Sequence, residues 1–194
     1  MKKKYKNILI KGKKIYLRPL TMMDVNKEYL SWLNDKNNTR YRFFSTAKNT
    51  KTSLKNFVYK KIKDPNTFFF AIIDIQSNTH VGNIKLETKV RTNGLAKKNA
   101  AFGRLMGHKN FKSKGYGTEA TKLILKFSFK TLKSYKVCAN CMASNIGAIK
   151  SNTKNGMKIE SRKKVNIRNR SYNMVQLGIV KKDWKKINKH IWRG

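Results

Sequence analysis

Acidic side chains are scarce in this chain: 9 Asp and Glu stand against 46 Lys and Arg in 194 residues, a formal net charge of +37. A field of that sign repels polyamines and draws anions such as nucleotides, nucleic acid or an anionic membrane surface. Composition offers a second source for the charge. Lys outnumbers Arg by roughly four to one and Asn and Ile are common, as codon bias would produce, whereas planar phosphate recognition favours Arg. We read drift as the main cause, with nonspecific nucleic-acid binding as its consequence. Cysteine is equally sparse. Cys138 and Cys141 form one C-x-x-C within a stretch that reads as a strand, and only His80, His108 and His190 could add ligands. Zinc needs four suitable groups, and thiols three apart on a strand face opposite sides, so no metal is expected. Long apolar runs are missing as well. Nothing could span a bilayer, and the basic Met1–Lys6 start is followed only by Ile8-Leu9-Ile10, short of a signal-peptide core. A cytoplasmic protein without a membrane partner is expected.

What is present suits a folded domain: 39% of residues are hydrophobic and 11% aromatic, and without repeats or linkers one domain over 1–194 is expected, with 181–194 as a short C-terminal extension. A strand is predicted near Ile15–Leu20. Thr21-Met22-Met23-Asp24 reads as an N-cap with an acid three residues on, opening a helix whose apolar side holds Val25, Tyr29, Trp32 and Leu33. A second helix follows over Lys51–Ile62. Thr67–Ile75 and His80–Thr88 form a hairpin around Gln76-Ser77-Asn78, and Asn99–Gly107 supplies the next strand after a polar turn, Arg91–Lys98, that contains Gly94. Tyr135–Ala143 is a strand, Ser144-Asn145 opens a short helix ending at Asn155-Gly156, and a hairpin pairs Met157–Val165 with Asn173–Val180. Strands alternating with helices predict an α/β fold, a mixed sheet with helices on both faces. Trp184 and Trp192 in the tail read as packing residues.

The most informative stretch is Lys112-Ser113-Lys114-Gly115-Tyr116-Gly117-Thr118-Glu119-Ala120. Upstream, Ala101 to Met106 reads as a buried strand; downstream, Ala120, Leu123, Ile124 and Phe127 recur at helical spacing. The glycines thus sit where a strand hands over to a helix, and free amides with the positive end of the helix dipole favour an anion there. Lys112 and Lys114 add charge. A Walker loop would need Lys and Ser or Thr after its second glycine, and a dinucleotide fingerprint would need three glycines; neither is present.

The segment resembles the pyrophosphate loop of the GNAT acyltransferases, Gln/Arg-x-x-Gly-x-Gly/Ala, with Lys112 in the Gln/Arg position. Asn145 and Gly156 match the family's later segment, in which an Asn meets the pantetheine arm and a helix closes with Gly-Phe; Met157 replaces the aromatic. Ile15–Leu20, Tyr29–Asp35, Val81-Gly82-Asn83-Ile84, Gly178-Ile179 and Lys182-Asp183-Trp184 are similar to the RimJ/RimL-type branch, particularly to members in surface-sugar biosynthesis. The resemblance implies a single-domain, mostly antiparallel GNAT-like sheet and an acetyl-CoA-dependent N-acetyltransferase acting by direct attack in a ternary complex. Its acceptor would be a small amine such as a nucleotide-linked amino sugar, or a protein N-terminus, and the protein would be a monomer or homodimer. Leu105, Met106, Gly107, Lys112, Ser113, Lys114, Gly115, Tyr116, Gly117, Thr118, Asn145 and Asn152 would hold acetyl-CoA, with a backbone N–H at the strand end polarising the thioester.

Two proton-handling positions depart from the family. Ala101 stands where a Glu is common, and Asn152 where a Tyr is common. His108, Glu87, Glu119 and water are left as bases, and His108 leads because its ordinary pKa suits the task and it follows the strand end. Glu87 reads alternatively as a solvated charge and Glu119 as a complement to the helix N-terminus. Trp32, Asp35, Arg40 and Arg42 are candidate acceptor contacts by position, Arg40 and Arg42 alternating with Tyr41 and Phe43. A GNAT fold with degraded catalysis that binds RNA or the ribosome is the alternative.

Overall fold

The computed structural model describes residues 7–41, 48–89, 98–167 and 170–189. The predicted turn with Gly94, and Arg42, Phe43, His190 and Trp192, lie outside the described residues.

The fold is α/β, built on an eight-stranded sheet in the order β1-β2-β3-β4-β5-β6-β8-β7, antiparallel throughout except where β5 and β6 run parallel. In chain order, β1 (Ile10–Lys11) and β2 (Ile15–Pro19) lead into a 3₁₀ turn, Met22–Asp24, and the helices α1 (Lys27–Asn34), α2 (Lys36–Thr39) and α3 (Lys51–Lys63). Strands β3 (Thr67–Asp74), β4 (His80–Thr88) and β5 (Asn99–Met106) precede a second 3₁₀ turn, Lys109–Phe111, and helix α4 (Tyr116–Lys126), which runs on into a π turn, Phe127–Thr131. Then come β6 (Lys136–Met142), α5 (Ile146–Thr153), β7 (Lys158–Ile167), β8 (Arg170–Val180) and α6 (Lys181–Lys189).

Alternation along a strand sends successive side chains to opposite faces, and β3 uses both. Phe68, Phe70 and Ile72 enter one core with Ala120, Leu123, Ile124 and Phe127 of α4 and its π turn, while Phe69, Ala71 and Ile73 enter a second with Val25, Tyr29, Trp32 and Leu33 beside α1 and Leu54 and Val58 of α3. All eight residues of β3 are buried for that reason. Each large apolar side chain so buried contributes about 1.5–3 kcal/mol. The C-terminal segment joins the first core: Trp184 of α6 is buried against Phe129 at 5.2 Å between ring centroids.

The predicted helix from Thr21 is two pieces. Thr21 and Asp24 do form a capping box, but on the 3₁₀ turn, where the buried Asp24 carboxylate also takes both Arg18 nitrogens at 2.6 and 2.9 Å. Val25 and Asn26 break the spiral, and Asn26 begins α1 anew by accepting from the Tyr29 N–H at 2.9 Å. Strand β5 also differs from its prediction as a buried strand. Ala100 and Phe102 are buried but Gly103 is exposed and Arg104 to Met106 are only half-buried, because β6 leaves its side.

Candidate active site

Strands β5 and β6 pair only at Asn99–Lys136, Ala100–Val137 and Ala101–Cys138, then diverge. On its other edge β5 stays paired with β4 as far as Gly82–Met106, and the Gly107 N–H donates to Val81 C=O at 3.1 Å. Continuing that ladder's alternation back along β5 turns the backbone groups of Arg104 and Met106 away from β4 and into the gap. A cleft of about 950 Å³ occupies this gap and passes over the sheet toward α1–α3, at the upper end of the size usual for a small-molecule site.

The glycine loop closes one end. Gly115 caps α4 with φ +85°, and Ser113 also has positive φ, at 61°. A left-handed residue costs a non-glycine side chain roughly 1–2 kcal/mol, and the two together swing the chain so that the first amides of α4 open on the cleft. No side chain caps them. Lys112, Ser113, Gly115, Gly117 and Thr118 line this end, with Asn145, Gly147, Ala148, Lys150, Ser151 and Lys154 from α5 and its approach opposite. Asn145 serves as the N-cap of α5, its Oδ1 accepting from Ala148 N–H at 3.1 Å.

Three predicted cofactor side chains are turned elsewhere, and a glycine is enclosed. Tyr116 gives its hydroxyl to Asp74 at 2.7 Å, which lifts the phenol to about 12. Lys114 lies over the Phe111 ring. Asn152 is 3% exposed, 3.4 Å from the Thr121 hydroxyl. Gly107 is buried: its C=O accepts from Asn38 Nδ2 at 3.0 Å, and a Cβ there would stand 2.0 Å from the Trp32 ring. This glycine exists for close packing, and Trp32 is its neighbour. Trp32, 5% exposed and edge-on to His80 at 5.0 Å, belongs to the core and not to the cleft wall; the space left by the missing side chain of Gly107 receives its ring.

Arg104 lines the cleft at its middle. Its Nη1 donates to Gly117 C=O at 2.5 Å and to the Thr121 hydroxyl, and no Asp or Glu among the described residues pairs with it. Burial pushes the guanidinium down to about 10, still fully charged at neutral pH. Lys112 turns toward α2, bonding Asn38 Oδ1, so Asn38 ties α2 to both the end of β5 and the loop.

The far end of the cleft is lined by Tyr29, Leu33, Asn37, Asn38, Arg40, Tyr41, Asn49, Ser53, Phe57, Asn83 and Lys85. Asp35 sits beside this wall but points away, capping α2 through Asn37 N–H at 2.8 Å. Asn83 is the residue that sequence reasoning passed over. It is 3% exposed, and its Nδ2 has no partner. His80 Nε2 is 3.0 Å from Gly82 C=O and 2.9 Å from Asn83 Oδ1; a carbonyl can only accept, so this nitrogen carries the proton, the amide oxygen faces it, and Nδ2 is left facing the other way. Ser151 Oγ is a second buried polar atom without a partner on the same cleft. Orphaned donors cost about 1–3 kcal/mol each unless a ligand meets them.

None of the predicted side-chain bases faces the cleft freely. His108 lies off its wall: Nδ1 accepts from Asn110 N–H at 3.3 Å, Nε2 is 3.6 Å from Glu28 Oε1, and the ring packs edge-on to Phe111. Glu87 is held by Lys61 at 2.7 Å and Lys85 at 3.0 Å; burial raises its pKa, but the two lysines outweigh this and keep it below the usual carboxylate range. Glu119, the acid in the first turn of α4, also reaches across to the turn before β2, accepting from the backbone N–H groups of Lys13 and Lys14. Cys138 is buried and Cys141 half-buried, both as free thiols, and no cluster of His, Cys, Asp or Glu among the described residues could hold a metal. No described helix is long and apolar enough to cross a membrane.

Residues 14–158 match the family model of the acetyltransferase (GNAT) domain. The chain is 25% identical over 168 residues to the Bacillus subtilis protein named "Probable N-acetyltransferase YjcK", covering 82% of this chain and 89% of that one. Among solved structures, a GNAT-family acetyltransferase from Bacillus anthracis superposes with TM-score 0.76 at 22% identity, over 90% of this chain and 99% of that one. The spermidine N-acetyltransferase of Vibrio cholerae, in complex with CoA and spermine, superposes equally well at 0.76 with 19% identity, over 90% and 99%.

Proposed function

Because the chain belongs to the GNAT acetyltransferase family, we propose that it is an acetyl-CoA-dependent N-acetyltransferase whose acceptor is a primary amine carrying no further positive charge, foremost an amino sugar linked to a nucleotide. The carrying observation is the make-up of the acceptor end. Carboxamides, tyrosines and phenylalanine line it, its charges are Arg40 and Lys85, and no carboxylate is present among the described lining residues. A polyamine bound there would bring several ammonium groups into a cationic, half-enclosed site with nothing to compensate them. Hydroxyls of a sugar suit the carboxamides, and a phosphate suits the cations.

The residues fit the coenzyme at the other end. Its diphosphate would rest on the amides from Ser113 to Thr118, with Lys150 and Lys154 facing the same cleft, and its pantetheine amides would meet the unpaired edge of β5 in place of a strand. When bound, acetyl-CoA supplies an activated acyl group. The chain's own tasks are to seat the amine beside the strand end, to offer the Asn83 amide to an acceptor oxygen, and to exclude bulk water. The amine's proton leaves to water, since the predicted bases are engaged elsewhere. Positioning can supply about 7–11 kcal/mol of a barrier, against about 3–5 kcal/mol for a general base worth ~10²–10⁴-fold, so direct attack is viable without one.

The test is thiol release from acetyl-CoA with nucleotide-linked amino sugars, free amino sugars, N-terminal peptides and spermidine. Turnover highest with the nucleotide-linked sugars supports the reading. Spermidine as best acceptor overturns the acceptor class, and peptides as best acceptors shift it to protein N-termini. The exposed basic ribbon formed by Lys158, Arg162, Lys163, Lys164 and Arg170 on β7 and β8 favours a second reading, an RNA-binding GNAT fold. CoA binding without turnover of any amine, together with RNA binding that persists at high salt, would establish it.

A further inference from the structure

A guanidinium without a carboxylate sits on the wall of the cleft where the reaction would create a negative charge. Arg104 occupies the β5 position immediately before Leu105 and Met106, the strand end beside which the thioester would lie. Only Nη1 is engaged, with Gly117 C=O and the Thr121 hydroxyl. A Cβ on Gly117 would stand 3.2–3.3 Å from Cζ, Nε and Nη2, so the group lies close against the first turn of α4, where a side chain on that residue would crowd it. Its place along the helix matters: Thr121 lies one turn, about 5–6 Å, past the amides that would take the diphosphate, and the same hydroxyl is 3.4 Å from Asn152 of α5. Arg104 therefore reaches along the first turn of α4 from Gly117 of the loop to Thr121, toward the middle of the cleft. Burial pushes the nearby Cys141 thiol up, and the Arg104 charge offsets part of that rise.

We propose that Arg104 stabilises the thiolate of departing CoA, an inference that rests on the acetyl-transfer reading above. The amine's lone pair forms the new N–C bond to the thioester carbonyl carbon, and the C–S bond breaks with its electron pair left on sulfur. The surplus ammonium proton goes to water, and the sulfur is later protonated by solvent. Throughout, the guanidinium keeps its protons and acts by charge alone, a role the neutral Asn152 amide cannot take. Arginine suits this task because its guanidinium stays ionised throughout, and a lysine, ordinarily at about 10.4, would still carry its charge at neutral pH in this half-buried site.

The direct reading is the pKa of the CoA thiol in the binary complex, followed by ultraviolet thiolate absorbance across pH with the desulfo-CoA complex as blank. In the unmodified protein the thiol should titrate at least ~1 unit below that of free CoA, the usual effect of a cation within about 4–6 Å. In Arg104→Gln it should return to the free value, with desulfo-CoA affinity within about threefold of the parent. Arg104→Lys, which keeps the charge if the Gln variant does not fold, should retain most of the lowering. An identical thiol pKa in parent and Arg104→Gln, or an unlowered one in Arg104→Lys, overturns the proposal. So does an equal, more than tenfold loss of CoA and desulfo-CoA affinity in Arg104→Gln, which would make Arg104 a pantetheine or diphosphate ligand. Bound CoA with an unshifted thiol removes only this role for Arg104; a protein that binds no CoA removes the acetyl-transfer reading with it.

Discussion

The two ends of the cleft are made of different materials. At the loop end the distinctive groups are backbone, amides freed by positive φ at Ser113 and Gly115 and a strand edge left open where β6 turns away, with Lys150 and Lys154 beside them. At the α1–α3 end they are side chains, drawn from α1, α2, α3, β3 and β4. A backbone site depends on a few residues adjacent in sequence, and a side-chain site on the folding of the whole domain. The first should therefore be broken by one substitution without loss of fold, and the second tuned by single substitutions.

The largest effect should come from Gly117→Asp. Its carboxylate would stand beside the Arg104 guanidinium and the loop amides, taking the place of a phosphate. We expect CoA affinity by calorimetry to fall at least ~100-fold, because the carboxylate occupies the donors a phosphate would use and charge-assisted hydrogen bonds of this kind are worth about 1.5–3 kcal/mol each, while the circular dichroism spectrum stays unchanged. Unaltered binding would break the assignment of the loop end.

Asn83→Ala probes the other end. Removing a buried donor that meets a ligand oxygen costs about 1–3 kcal/mol, so the acceptor KM should rise roughly 5–100-fold while CoA affinity stays within twofold. A parallel loss of CoA affinity would show that the two ends are not separable.

His108→Ala should lower kcat/KM by about tenfold or less, below the usual general-base contribution of ~10²–10⁴, because the imidazole faces Glu28 and Asn110. A thousandfold loss, with disappearance of an ascending limb of the pH–rate profile, would make His108 the base.

The smallest effect concerns His80, which holds Asn83. Burial pushes its imidazole below the ordinary value, against Asn83 and Asp24, which favour the charged form. The unfolded chain thus binds this proton at higher pH than the folded one, so stability is full above about 6.5 and is lost as pH falls from there toward the lowered folded value. The melting temperature should drop by no more than about 2–4 °C between pH 7.5 and 5.5, and His80→Gln should flatten that slope. The carboxylates held low, Asp24, Asp64, Asp74 and Glu87, act only at more acid pH.

The same contrast governs what could be read before folding. Gly115, Gly117 and the apolar face of α4 lie within one short stretch, so the loop end was legible from local chemistry, as were the strands flanking it. Trp32 was misplaced because position along a helix names a neighbourhood and not a facing direction; the missing Cβ of Gly107, 75 residues away, is what receives it. Asn83 looked like any strand residue, since its orphaned amide arises only when His80, Gly82 and the cleft come together. The short α2 left no periodic trace, and α6, with only Trp184 buried, was legible as packing but not as a helix. That Glu119 of the first turn of α4 also binds the turn at Lys13 and Lys14 was not legible, because those two backbone donors lie 106 and 105 residues away and meet it only in the fold.

Three register pairs are all that stitch β1–β5 to β6–β8 in the hydrogen-bonded ladder. Mechanically the sheet is two plates on a short hinge, and a molecule wedged between them works as a keystone. Occupancy of the gap would then add rigidity across the joint as well as reactants to a site. At a ligand concentration 100 times Kd the gain is about 2.7 kcal/mol, and it should be felt most in slowed amide exchange along Lys136–Met142, the strand at the joint.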